Sequence, residues 1–192
     1  MELVFATGNS HKLKEVRNLL PAEFTLLSLK DLECEEDIPE TGHTIQENAL
    51  IKARYISDKF GMNCFADDTG LEVDALDGRP GVYSARFAGP HAQSEDNVLK
   101  LLTELKGIEN RKARFRTVIA MYLEGKEYTF EGIINGTITN EVMGEKGFGY
   151  DPVFKPDGHD RTFAEMTESE KNSISHRGLA MAKLVVFLNS KF

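Results

Sequence analysis

Leu3-Val4-Phe5-Ala6-Thr7-Gly8-Asn9-Ser10-His11-Lys12 is the stretch from which the fold is read. Residues 3–6 form a short apolar run, the pattern of a buried strand. Thr7-Gly8-Asn9 then turns the chain tightly, and a helix follows. Asn9 or Ser10 caps that helix, Leu13, Val16 and Leu20 share one face, and Pro21 stops it. Strand, tight turn and helix in succession open an α/β fold.

Working outward, residues 24–29 read as a second strand. Residues 31–40 crowd Asp31, Glu33, Glu35, Glu36, Asp37 and Glu40 together with no clear period. Thr44-Ile45-Gln46-Glu47 is a capping box that starts a helix running to Gly61. Residues 63–66 form a strand that ends at Asp67-Asp68-Thr69-Gly70, and residues 77–90 form a long turn-rich loop. Ser94 caps a third helix, with Glu95 and Asp96 in its first turn and Gly107 at its end. Residues 113–123 alternate, Glu124-Gly125-Lys126 turns the chain, and residues 127–138 complete a hairpin. A glycine-rich loop follows at 144–151, Thr167-Glu168-Ser169-Glu170 repeats the capping pattern, and residues 179–188 form an apolar C-terminal helix. The order is βαβαββ, then α, a hairpin and a final α. It predicts an α/β protein with a mixed twisted sheet and flanking helices. With no repeat or linker, residues 1–192 read as a single domain, in which the hairpin and third helix can form a lobe of their own.

Composition narrows the function. The chain has 192 residues, 41% hydrophobic and 28% charged, an ordinary balance for a folded domain with a sizeable core. Its 23 Lys and Arg against 31 Asp and Glu leave a net charge of −8. Such a surface repels a nucleic-acid polymer and an anionic membrane. A small anionic ligand remains open if a few cations converge or a metal ion screens it. Cys34 and Cys64 show no metal-binding spacing and read as two thiols of a reducing compartment. No run approaches the roughly 20 apolar residues of a membrane span. Residues 1–6 lack a signal-peptide pattern, so a cytoplasmic protein is expected.

Several patterns carry possible chemistry, and each also fits a plain structural reading. The turn at residues 7–12 suits phosphate, through helix N-terminal amides and Lys12, or is a simple strand–turn–helix with a solvated lysine. Asp67 and Asp68 are neighbours on a strand and point to opposite sides. One can hold a metal and act as base while backbone donors hold the other; alternatively the pair caps the next element. Glu40, Glu47 and Lys52 fit a solvated loop and helix surface. Phe148 and Tyr150 flank a glycine and suit base stacking, or dock on the core. Lys171 and Ser175-His176-Arg177 suit an anion or carbonyl oxygen, or polar residues at a helix start. There is no GxSxG and no His beside either cysteine, which argues against nucleophilic catalysis. Carboxylates dominate, which favours a hard cation, magnesium or manganese.

Six segments together carry a resemblance: Thr7-Gly8-Asn9-x-x-Lys12, Glu47-Asn48-Ala49-x-x-Lys52-Ala53, Ala66-Asp67-Asp68-Thr69-Gly70-Leu71, Pro80-Gly81-Val82-x-Ser84-Ala85-Arg86, Gly147-Phe148-Gly149-Tyr150-Asp151-Pro152 and Met166-Thr167-x-x-Glu170-Lys171-Asn172-x-x-Ser175-His176-Arg177. In this order, across essentially the whole chain, they resemble the inosine triphosphate pyrophosphatase family. The resemblance implies hydrolysis of ITP, dITP and XTP to the monophosphate and pyrophosphate, clearing deaminated purines from the nucleotide pool. It further implies an elongated two-lobed molecule with a central cleft, a homodimer, and a need for Mg2+, with Mn2+ able to substitute. Thr7, Gly8, Asn9 and Lys12 would hold phosphate. Glu40 and Asp68 would place the metal, Asp68 would be the base, and Lys52 would neutralise phosphate charge. Thr69 would touch the substrate, Phe148, Gly149, Tyr150 and Asp151 would hold base and sugar, and Lys171, His176 and Arg177 would line the base pocket. Thr69 stands where many bacterial members carry Ser, a change that keeps the hydroxyl. A Maf-like pyrophosphatase and a non-catalytic nucleotide sensor are the competing readings. The Phe148/Tyr150 pair and Ser175-His176-Arg177 count against the first, and intact Lys12, Lys52 and Asp68 against the second.

Overall fold

Successive side chains of a strand point to opposite faces, so parity along the strands decides which helix each residue meets. The computed structural model describes residues 1–36 and 38–191, and Asp37 of the acidic stretch lies outside the described residues. In chain order the elements are β1 (Glu2–Phe5), α1 (Ser10–Leu19), β2 (Thr25–Ser28), α2 (Ile45–Phe60), β3 (Cys64–Val73), β4 (Pro80–Gly81), α3 (Ser94–Glu104), β5 (Lys112–Leu123), β6 (Lys126–Ile138), β7 (Phe154–Pro156), α4 (Glu168–Ile174) and α5 (His176–Asn189). The strand order is β2-β1-β3-β5-β6-β7, with β4 paired to β3. β1 is parallel to β2 and β3, whereas β4 and β7 are antiparallel to their partners. This is the mixed α/β sheet expected.

The chain divides into two compact units. The first comprises Met1–Asp68, Thr117–Gly132 and Arg177–Phe192; the second comprises Thr69–Arg116 and Ile133–His176. Within the first, Leu3, Phe5, Phe65, Ile119 and Met121 pack with Val16 of α1 and Ala180, Met181 and Leu184 of α5. Residues of the other parity, Val4, Ala6, Cys64, Ala66, Val118 and Ala120, pack with Ile45, Ala49, Ala53 and Ile56 of α2. Phe5 and Phe65 stack at 4.8 Å. The second unit has its own core, in which Leu71, Val73, Leu101, Leu105, Phe115, Phe154 and Phe163 meet. α3 lies in the second unit, but the turn-proximal part of the hairpin belongs to the first.

Local signals mostly held. Asn9 caps α1, the Thr44–Glu47 box caps α2, and Gly61 ends α2 at φ 65°. Glu124 and Gly125, at φ 50° and 76°, make the hairpin turn. Several expectations change: β7 is additional, and α4 and α5 stand where one C-terminal helix over 179–188 was expected. α3 is capped at Gln93, whose N–H donates to Asp96 Oδ2 at 2.8 Å, and Ser94 is its first residue. β3 does not end at the aspartates; it continues through them to Val73. Both thiols are buried and free, and burial pushes that of Cys64 up to about 12.

Candidate active site

Parity separates the two aspartates. Asp67 follows Phe65, which faces α1 and α5, and Asp68 follows Ala66, which faces α2. Asp67 is buried and accepts from Lys12 Nζ of α1 and Arg177 Nε of α5, each at 3.0 Å. Arg177 is 2% exposed and also binds Glu15 of α1. Asp68 meets α2, with Lys52 Nζ and Asn48 Nδ2 each at 3.4 Å. Lys52 also donates to Glu40 Oε1 at 2.7 Å. The two carboxylates therefore meet different partners, and lysine and arginine side chains grip Asp67.

The cluster polarises these groups. Burial would raise the pKa of Asp67, yet Lys12, Arg177 and Lys52 outweigh it and hold the carboxyl well below its ordinary range. For Asp68 burial wins over the nearby lysines, and its pKa is raised. Burial pulls Lys52 down, but Asp68, Glu40 and Asp67 more than compensate and leave it raised. Lys12 is lowered, chiefly by burial. In the first unit the three cations Lys12, Lys52 and Arg177 stand among the four carboxylates Glu15, Glu40, Asp67 and Asp68. Lysines expected to await phosphate are thus already engaged by carboxylates.

The turn before α1 is also partly occupied. Asn9 Oδ1 accepts from the N–H groups of His11 and Lys12 at 2.9 and 3.2 Å, and Thr7 Oγ1 from that of Asn9 at 3.2 Å. A Cβ on Gly8 would meet open space. Two residues given no role in advance belong to the cluster, Glu15 and Asn48. Asn48 Oδ1 accepts from Gly42 N–H at 2.8 Å, so one fully buried amide joins Asp68 to the loop bearing Glu40. A sequence signal existed for it: Asn48 and Lys52 lie four apart on the apolar stripe of α2.

The remaining candidates lie in the second unit, described by itself. Asp151 is buried, and its Oδ2 accepts from Lys171 Nζ at 2.7 Å and from Phe148 N–H at 2.9 Å. Lys171 Nζ sits 4.7 Å from the centre of the half-buried Phe148 ring. Gly147 has φ 76°, and a Cβ there would lie 2.1 Å from Asp151 Oδ2. Gly149 is also left-handed, at φ 63°. His176 stacks on Phe115 at 4.5 Å. Tyr150 is buried, not presented as a platform, and donates its hydroxyl to Ser84 O at 2.8 Å. Thr69 is half-buried.

The chain is similar to known proteins over nearly its whole length. The pattern of the Ham1 family matches residues 3–187. A dITP/XTP pyrophosphatase of Flavobacterium johnsoniae is 53% identical over 190 residues, covering 99% of each chain. One of Bacillus subtilis is 46% identical over 193 residues, covering 98% of each. The solved Ham1 protein of Staphylococcus aureus matches with a TM-score of 0.91 at 37% identity over 100% of both chains. That of Coxiella burnetii gives 0.91 at 39% over 99% of both.

Proposed function

The chain belongs to the Ham1 family, and from that premise we propose that it hydrolyses ITP, dITP and XTP to the monophosphate and pyrophosphate, removing deaminated purines from the nucleotide pool. The activity of its relatives as dITP/XTP pyrophosphatases supports the reaction. The observation that carries it in this molecule is the split aspartate pair, one carboxylate gripped by Lys12 and Arg177 and its neighbour turned to Asn48 and to Lys52, which also binds Glu40.

A magnesium ion fits the donor set. Glu40 and Asp68 both reach Lys52 and offer hard oxygen ligands, and magnesium is commonly held by one or two carboxylates with water and phosphate completing its shell. No group of three or more His, Cys, Asp or Glu side chains suited to a metal occurs among the described residues, so in this reading water and phosphate would supply the remaining ligands. Four carboxylates around three cations also favour a divalent ion over bare polyphosphate. Glu40 and Asp68 would hold the ion, which when bound supplies charge to offset the triphosphate, and Mn2+ would serve in its place.

Asp68 takes a proton from the attacking water, as the resemblance implies for this carboxylate beside Lys52. The water oxygen bonds to the α-phosphorus, the bond from that phosphorus to the α,β-bridging oxygen breaks, and pyrophosphate leaves. Lys52 stabilises the charge that develops, and positioning carries most of the rate. Thr7, Gly8, Asn9 and Lys12 receive phosphate, with the open face of Gly8 allowing close approach. Thr69 touches the substrate, and residues 148–151 with Lys171 and His176 hold base and sugar. A 6-carbonyl accepts hydrogen bonds where adenine offers an amino donor, so donors at this site select deaminated purines. Arg177 lines the base pocket with Lys171 and His176, and its pairing with Asp67 and Glu15 supports a further role in fixing Asp67. No described helix is long and apolar enough to cross a membrane. A cytoplasmic homodimer follows from the resemblance, and sedimentation tests its second half.

The deciding assay incubates the protein with Mg2+ and ITP, XTP, dITP, ATP, GTP or UTP and identifies the products. IMP and pyrophosphate from ITP, with ATP spared, is the expected result. IDP and phosphate would overturn the reading, and tight binding with no turnover would indicate a sensor.

A further inference from the structure

We propose that Ser84 is a positioning residue for base selection, holding the strand that follows Asp68 in register with the loop that carries Phe148. The proposal rests on the functional reading above. Pro80-Gly81-Val82-Tyr83-Ser84-Ala85-Arg86 marks the sequence clearly, yet no step of the proposed reaction uses it. β4 supplies its first two residues and pairs with Leu71 and Glu72 of β3. Ser84 follows in a short 3-10 turn.

Ser84 makes three hydrogen bonds in two directions. Its Oγ accepts from Leu71 N–H at 2.8 Å and donates to Gly81 O at 2.6 Å. Its carbonyl oxygen accepts from the Tyr150 hydroxyl at 2.8 Å. Leu71 is two residues beyond Thr69, and Tyr150 stands between Gly149 and Asp151. One residue thus ties residues 69–71 to residues 147–151, all within the second unit. Ser84 is 8% exposed, Tyr150 4% and Leu71 0%. Water does not replace a buried bond that is lost, so these contacts hold their geometry firmly.

The hub also explains why the two aromatic rings of the loop differ. Tyr150 is turned inward and anchors the loop through its hydroxyl. Phe148 is left half-buried, its N–H held by Asp151 and its ring beside Lys171. Tyr150 therefore acts through Ser84, and Phe148 is the ring available to a base.

The test compares full-length Ser84→Ala and Tyr150→Phe with the wild type on ITP and GTP in the presence of Mg2+. The readout is the ratio of kcat/KM for ITP to that for GTP, from which the fraction of folded enzyme cancels. Each variant should lower the ratio about tenfold, a modest share of what misplacing a binding group can cost. The loss should lie in KM more than in kcat. The double variant should fall no further than the worse single one, because both changes act through one residue. An unchanged ratio in both variants, whatever their Tm, overturns the proposal. If the wild type shows no preference for ITP, the functional reading has failed, and hydrogen exchange in the ligand-free protein then decides. Faster exchange at residues 69–71 in Ser84→Ala and at 148–153 in Tyr150→Phe supports the hub; unchanged protection in both overturns it.

Discussion

Asp67 and Asp68 are neighbours in the chain and face opposite sides of β3, Asp67 toward Lys12 and Arg177, Asp68 toward Lys52 and Asn48. The peptide bond between them sets a cation-locked carboxylate beside one whose proton affinity is raised. The two should respond to the same substitution in opposite ways.

Asp68→Asn keeps the shape and should abolish pyrophosphate release while leaving the denaturation midpoint nearly unchanged. Asp67→Asn leaves Lys12 and Arg177 buried beside a neutral amide. Removing one partner of a buried ion pair costs about 3–5 kcal/mol, so urea unfolding should show a loss of that size. Equal stability losses in the two variants would contradict the division of labour.

The same split predicts opposite pH behaviour. Asp67 folds with its pKa below the ordinary 3.8. Its contribution to stability is present above 3.8 and is lost as pH falls through the folded value. Asp68 folds with its pKa above 3.8. Its contribution is present below 3.8 and is lost as pH rises through the folded value. Carbon-13 NMR of the metal-free protein should find the carboxyl of Asp68 titrating above 3.8 and that of Asp67 below it; the reverse order would refute the assignment.

Chelation should stop turnover, and Mg2+ or Mn2+ should restore it. Glu40→Gln should raise the magnesium concentration needed for half-maximal rate, and calorimetry of the substrate-free protein should show weaker ion binding. Turnover insensitive to chelator would remove the metal from the mechanism.

Two glycines should separate fold from function. A Cβ on Gly42 would lie 2.6 Å from Glu47 Cβ and 2.8 Å from Asn48 Oδ1. Gly42→Ala should therefore cost about 1–3 kcal/mol, the usual penalty for overpacking. Gly8→Ala meets open space and should leave stability unaltered while weakening inhibition by pyrophosphate. A thermal scan and an inhibition series on each variant check both statements.

Much of the fold was legible because its signals are local. Capping at Asn9, Thr44 and Thr167 and the turn at Glu124-Gly125 act within a few residues. The end of β3 was misread because Asp67-Asp68-Thr69-Gly70 has the composition of a loop. Those carboxylates stay in the strand because Lys12, Arg177 and Lys52 match their charge there. Asn48 went unassigned because its partners, Gly42 and Asp68, lie six and 20 residues away.

The sequence by itself determined the order of elements as far as β6, the opposite facing of Asp67 and Asp68, and the family to which six spaced motifs point. Each follows from spacing along one chain. Tertiary structure alone decided which cation meets which carboxylate. Arg177 reaches Asp67 across 110 residues, and Lys171 reaches Asp151 across 20. Such pairings depend on which helix covers which face of the strand, and burial then turns them into shifted proton affinities. A net charge of −8 describes the whole surface and is silent on how three cations are distributed among four carboxylates inside.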